Sequence, residues 1–257
     1  MKQRGQTVVL FPILLLAFML IALIAPVHAH AASEVSSSQA AVPAHFATLP
    51  KFLKNTTSQS TNWSGYAAHS GTYTSVSASW TEPTATCSKT AYSSFWVGLD
   101  GYNSSTVEQT GTDSDCNGST PKYYAWYEMY PAYPVNLSKT VKPGDAMSAS
   151  VTAGSNHAFT LVISDSTQKW TFKVTKSLSS AKQSSAEVIA EAPSSISGVL
   201  PLADFHTVNF SNSLVNGQAI GNFNPVEIVM ATSGGTVKAQ PSALSGGTAF
   251  SDTWKHS

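Results

Sequence analysis

Charge is scarce in this sequence. Of its 257 residues 11% are charged, and Arg4 is the sole arginine. Without a basic patch there is nothing to grip phosphates, which argues against nucleic acid as a partner. Cysteine is scarcer still: Cys87 and Cys116 are the only two. Apart from His28 and His30 near the N-terminus, the histidines His45, His69, His157, His206 and His256 are scattered and form no HExxH or similar spacing, so neither a metal site nor a cofactor is expected. Also missing are a GxSxG elbow, an Asp-Thr/Ser-Gly pair, a phosphate-binding loop and a cysteine free to act as nucleophile. No stretch combines a sustained helical period with caps.

The N-terminus is apolar where the rest is polar. Lys2 and Arg4 precede an apolar run over 8–24, and Val27-His28-Ala29-His30-Ala31 offers small-residue cleavage positions. That pattern reads as a signal peptide over 1–31, and hence as a secreted, extracellular protein with no membrane contact after cleavage. A retained anchor is the alternative, since the run is nearly long enough to span a bilayer. In an oxidising compartment Cys87 and Cys116 are expected to form one disulfide. Closing a loop of about 30 residues stabilises a fold by roughly 3–4 kcal/mol, and that loop contains Gln109. Without Lys2 and Arg4 the chain carries 12 basic and 14 acidic side chains. So few carboxylates leave few ion pairs to lose in acid.

Residues 32–60 are rich in Ala and Ser, with one apolar patch, FATLPKFL at 46–53, that carries Lys51. They read as a pro-segment or linker. The patch is suited to plugging an acidic cleft, and a disordered leader is the plainer alternative. From 61 to 257 short runs rich in Val, Thr, Tyr, Trp and Phe alternate with Gly, Ser, Asn and Pro clusters. Expected strands are 73–80, 94–99, 123–130, 146–153, 159–165, 169–175, 186–191, 206–210 and 226–230. The pattern is that of an all-β sandwich or barrel, and its length suits a single large sandwich.

Against so few carboxylates, those inside apolar strands stand out. Glu128 lies in YYAWYEMYP among aromatics. Glu187 and Glu191 lie in AEVIAE, where alternation puts 187, 189 and 191 on one face and Val188 and Ala190 on the other. Two carboxylates on one strand face suit a cleft; a merely solvated face is the alternative. Asp100 ends a strand at a turn, where an aspartate commonly bonds neighbouring amides.

Six blocks, in order, resemble the glutamic peptidases or eqolisins: NWSGY at 62–66, FWVGLDG at 95–101, QTGTD at 109–113, YAWYEMYP at 124–131, AEVIAEAPS at 186–194 and LADFHTVNF at 202–210. The resemblance implies a concanavalin A/lectin-like β-sandwich, and a secreted acid endopeptidase made as a zymogen, acting on polypeptides without a metal or cofactor. It further implies Gln109 and Glu187 as the catalytic pair. The cleft residues would be Trp63, Trp96, Asp100, Trp126, Glu128 and Tyr130, with Glu191 on the face of Glu187. A monomer is expected.

The chemistry suits these side chains. A glutamate can take a proton from water and return it to the leaving amine. A glutamine does not titrate, so it remains a donor to the oxyanion at any acid pH. Three departures from the family pattern bear on this. Val188 stands where an aromatic is common, so an altered cleft wall is expected. Met129 stands for a frequent tryptophan, so looser aromatic packing is expected. Tyr124 stands for an aspartate, removing a carboxylate. The rival readings are a glycoside hydrolase using Glu128 with Glu187 or Glu191, and a carbohydrate-binding module whose aromatics stack on sugars.

Overall fold

The computed structural model describes residues 48–52 and 58–257. The expected signal peptide lies outside them, as does the pro-segment apart from 48–52 and 58–60. The longer strands are β1 (Trp63–Ala68), β2 (Ser75–Thr81), β3 (Ser94–Leu99), β4 (Val107–Asn117), β5 (Thr120–Tyr130), β6 (Ala146–Ala153) and β7 (Ala158–Asp165). They continue as β8 (Trp170–Ser177), β9 (Ala186–Glu191), β10 (Thr207–Val215), β11 (Val226–Ala231), β12 (Val237–Pro241) and β13 (Phe250–Trp254). Among the described residues the only helix is one 3₁₀ turn, Ile220–Phe223, and none is long and apolar enough to cross a membrane.

The strands make an antiparallel β-sandwich. One sheet runs β11-β1-β9-β3-β4-β5 and the other β8-β7-β6-β2-β10-β13-β12-β11. Strand β11 belongs to both: Val226, Glu227 and Ile228 pair with β1, whereas Met230 and Ala231 pair with β12. It thereby turns the ribbon onto itself. Alternation decides what lies between the layers. Phe95, Val97 and Leu99 of β3 and Val188 and Ala190 of β9 share one apolar cluster with Val151, Leu161, Ile163 and Phe210 of the second sheet. The expected wet face of 146–153 is present, every second residue of β6 being buried.

Strands 94–99, 146–153 and 186–191 have the expected bounds. Strand β4 was not expected, because VEQTGTDSDCN is almost wholly polar. Its first ten residues are nevertheless buried. One face of β4 bonds into the layer between the sheets and the other looks outward. Cys116, near its end, is joined to Cys87 with Cα atoms 5.3 Å apart.

Candidate active site

The first sheet has a second apolar face, turned away from the sandwich core. Three rows of side chains cross it. In the first row Ala67, Glu187, Gly98, Gln109 and Glu128 are successive partners across β1, β9, β3, β4 and β5. The second row is Gly65, Ile189, Trp96, Gly111 and Trp126, and the third Trp63, Glu191, Ser94, Asp113 and Tyr124. Adjacent rows lie about 7 Å apart and adjacent strands about 4.8 Å.

Glu187 and Gln109 therefore flank a residue without a side chain. A Cβ on Gly98 would stand 3.2 Å from the Cβ of Gln109, 3.1 Å from Val107 and 2.9 Å from Trp96. Residue 98 itself puts no side chain between the two polar groups, and Trp96 and Val107 pack in over its Cα. Gly111 does the same for an aromatic, since a Cβ there would run into Trp96 and the Phe95 carbonyl. Trp63 and Trp96 meet edge to face at 4.9 Å. The Trp126 Nε1 donates to Asp113 Oδ1 at 2.6 Å, which fixes that ring. Tyr130 packs on the rim of the same cluster.

The polar groups are buried and differently occupied. Gln109 donates from Nε2 to Glu128 Oε2 at 2.6 Å. Gln109 Oε1, the other Glu128 oxygen and both Glu187 oxygens are buried without a hydrogen-bond partner. Glu191 is fully engaged on its apolar side: Trp96 Nε1 donates to one oxygen at 3.0 Å, and the Thr48 amide and Asn62 Nδ2 donate to the other at 2.9 and 3.2 Å. Asp100 accepts the amides of Lys182, Gln183 and Ser184 at 2.7–2.9 Å and hydroxyls from Ser104 and Ser184. It thus moors the stretch leading into β9 and sets where Glu187 sits.

Burial governs the ionisation of these acids. It pushes Glu187 well above the usual carboxylate range; the Ser185 hydroxyl is the next influence and lowers it, followed by the Asp100 charge that raises it, the Tyr102 amide that lowers it and the Glu108 charge that raises it. Glu128 is likewise raised, first by burial and then by Glu191, while Gln109 lowers it. Glu191 is pushed up to about 8 by burial despite its donors. Among the described residues no group of three or more His, Cys, Asp or Glu is arranged to hold a metal ion.

Two departures from the family pattern act elsewhere than expected. Val188 and Met129 belong to the cluster between the sheets, on the opposite faces of their strands from Glu187 and Glu128. They therefore shape the core and leave the cleft wall unchanged. Tyr124 does face the cleft, where its hydroxyl donates to Asp115 Oδ2 at 2.7 Å. Sequence reasoning passed over Gly98, Asp113 and Asn62. Parity with Trp96 along the expected strand 94–99 was the signal for Gly98; Asp113 had none, because the strand that carries it was not expected.

Residues 61–252 match the model of the peptidase A4 family. The chain belongs to that family. Members of this family, the glutamic peptidases, are hydrolases acting on peptide bonds. The chain is 28% identical to aspergillopepsin-2 of Aspergillus niger over 190 residues, 63% of this chain and 67% of that one. It is 34% identical to scytalidopepsin B of Scytalidium lignicola over 126 residues, 48% of this chain and 46% of that one. The crystal structure of scytalido-glutamic peptidase with a peptide-based transition-state analogue superposes with a TM-score of 0.67 at 25% identity, covering 76% of this chain and 98% of that one. The structural comparison supports the β-sandwich of a glutamic peptidase.

Proposed function

We propose that the protein is a secreted acid endopeptidase in which Glu187 and Gln109 act on a water held between them. The observation that carries this reading is their placement: two buried side chains with unpartnered polar atoms face each other across Gly98 on an aromatic-lined sheet face. A scissile carbonyl and a water are the groups that would satisfy those atoms. Glu187 as carboxylate takes a proton from the water and later returns it to the leaving amine. One N–H of Gln109 is held by Glu128, which fixes the amide, and the other is available to the oxyanion. Such a donor is worth about 3–4 kcal/mol in the transition state.

Burial keeps Glu187 neutral while its face is covered. Admitting substrate and water lowers that desolvation cost and returns the carboxylate. Trp63, Trp96, Trp126 and Tyr130 supply the apolar bed for a polypeptide, and Asp100 positions the strand that bears Glu187. The glycosidase reading draws no support from Glu191 or Glu128, since the first is saturated by donors and the second is tied to Gln109. Residues 1–31 are proposed to be removed on export, 32–60 to be the pro-segment, and 61–257 to be the working monomeric domain.

The test is cleavage of an unfolded protein at pH 3–4 by the processed chain, beside Glu187→Gln and Gln109→Ala, with pepstatin and a chelator present. Cleavage that resists both inhibitors and falls at least about 100-fold in each variant is the expected result. Undiminished cleavage by Glu187→Gln sinks the assignment.

A further inference from the structure

The outward face of the first sheet already carries a peptide. Residues 48–52, Thr-Leu-Pro-Lys-Phe, lie on it, with Leu49 and Phe52 packed against the cluster that contains Trp63, Trp96 and Ile189. Phe52 meets the Tyr102 ring edge to face at 5.0 Å. Two apolar side chains three residues apart, with an exposed Lys51 between them, follow the period of a polyproline II turn, which Pro50 favours. A strand would have turned them to opposite faces.

A segment of this kind leaves its backbone groups to be satisfied from outside; the Thr61 amide donates to the Lys51 carbonyl at 2.9 Å, and three side chains take most of the rest, Asn62 supplying two bonds. Asn62 Oδ1 accepts the Lys51 amide at 2.7 Å, and Asn62 Nδ2 donates to the Leu49 carbonyl at 3.1 Å. One carboxamide thereby reads the donor of one residue and the acceptor of the residue two before it. The neighbouring pair repeats the device on a single residue. Glu191 accepts the Thr48 amide at 2.9 Å, and Trp63 Nε1 donates to the Thr48 carbonyl at 2.8 Å. Asn62, Trp63 and Glu191 are all fully buried, and Asn62 Nδ2 also lies 3.2 Å from Glu191. The three form one continuous main-chain reader on the same sheet face, two rows or about 14 Å from the Glu187–Gln109 row. These main-chain contacts do not depend on the peptide's side chains; side-chain recognition is left to the two apolar seats and to the Thr48 hydroxyl, which accepts from Asn62 Nδ2 at 3.1 Å and meets Ser194 Oγ at 3.1 Å.

We propose that Asn62 is a substrate-positioning residue that reads the main chain of the bound substrate, and that residues 48–52 occupy the substrate's place in the uncleaved chain. The preferred peptide is extended and carries apolar side chains three residues apart. The proposal rests on the peptidase reading for the word substrate, but its central claim is one of peptide binding and does not need the catalytic assignment.

The test uses the full chain with Leu49→Asp and Phe52→Asp, which loosen the resident segment, in a Glu187→Gln background so that hydrolysis cannot consume the ligand. Acetyl-Thr-Leu-Pro-Lys-Phe-amide is titrated at pH 4 and followed by tryptophan fluorescence. An analogue in which an ester oxygen replaces the lysine N–H is titrated in parallel. Saturable binding is expected, weakened about tenfold by the ester, the scale of one lost hydrogen bond to a buried acceptor. Adding Asn62→Ala should weaken the amide peptide about tenfold and abolish the difference between the two ligands. Asn62→Asp, which keeps the acceptor and loses the donor, guards against a merely misfolded alanine variant: it should retain the ester penalty while binding both ligands more weakly. Equal affinity of the two ligands for the Asn62 chain, an ester penalty that survives in Asn62→Ala, or no binding at all overturns the proposal. Failure of the catalytic assignment would show separately, as cleavage undiminished by Glu187→Gln.

Discussion

Glu82 and Glu187 stand on opposite sides of the same sheet, both buried and both raised above the usual carboxylate range by that burial. On the core side, Glu82 receives hydroxyls from Thr112 and from Ser114, the latter at 2.6 Å, and the Trp80 indole N–H at 3.3 Å. On the cleft side, neither oxygen of Glu187 makes a well-formed hydrogen bond; the Ser185 hydroxyl and the Tyr102 amide are near enough only to lower its pKa. Burial and a raised pKa are thus shared by a structural carboxylate and the candidate catalytic one. What separates them is satisfaction. Even that is insufficient alone, because Glu108 and Asp252 also have oxygens without partners. Glu187 differs from these in facing a second incompletely paired group, Gln109, across a glycine.

The comparison is broken most sharply by Glu187→Gln. Loss of a general base typically costs about 10²–10⁴ in rate. Because a buried carboxylate without partners gains nothing from being charged, thermal stability should be unchanged or higher. Single-turnover cleavage and a melting curve on the same sample check both halves. A variant that loses stability with its activity would place Glu187 with Glu82 as a structural group.

The next effect is on stability as a function of pH. Glu82 is pushed up to about 8, Glu108 to about 9 and Asp252 to about 7, in each case first by burial. Their unfolded values lie near 4. Between those limits the folded chain binds more protons than the unfolded one, so the stability these groups supply is full below about pH 4 and drains as pH rises toward 7–9. Each contributes a slope of up to roughly 1.4 kcal/mol per pH unit within its own window. Denaturant melts should show the fold strongest in acid and weakening steadily toward pH 8. This supplies a reason for an acid optimum that Glu187 cannot, since a base with a raised pKa favours higher pH. A melting curve flat from pH 4 to 8 would contradict it.

Much of this was legible from residues alone. AEVIAE gave the shared face of Glu187, Ile189 and Glu191 through strand parity, and the six blocks gave the family. Strand β4 was not legible as a strand, because the hydrophobic period fails where one face bonds to Glu82 and the other carries Gln109 and Asp113. The facing of Val188 and Met129 was available from the same parity that placed Glu187, yet comparison with the family pattern led to the cleft instead. The contact of residues 48–52 with Asn62 was not readable, since side chain to backbone bonds leave no periodic trace.

A smaller effect is expected at Gly98. Alanine there would crowd Gln109, Val107 and Trp96 and shift the Gln109 amide relative to Glu187. A displacement near 1 Å can cost up to about 100-fold, so a fall of about 10–100-fold in kcat with little change in KM is the expected outcome. An unchanged kcat would mean that the space above Gly98 does not hold the reacting atoms.

The smallest effect is expected from Glu82→Gln, and its pH dependence is the informative part. Near pH 4 Glu82 is already neutral, so glutamine replaces one uncharged group by another of similar shape. The loss is that an NH₂ replaces an oxygen among three donors. The Thr112 and Ser114 hydroxyls can rotate, but the Trp80 N–H cannot, and one poorly paired contact costs about 1–2 kcal/mol. As pH rises, the wild type must either ionise Glu82 in the core or retain its proton against solution, whereas the variant has nothing to titrate. The two stability curves should therefore converge and then cross before about pH 8. Activity per folded molecule should remain at the wild-type level throughout, because Thr112, Ser114 and Glu82 face the core and only their strand neighbours Gln109 and Asp113 face the cleft. Parallel curves would show that Glu82 titrates alike in both states, and a loss of activity in folded protein would show that the two faces of β4 are mechanically coupled.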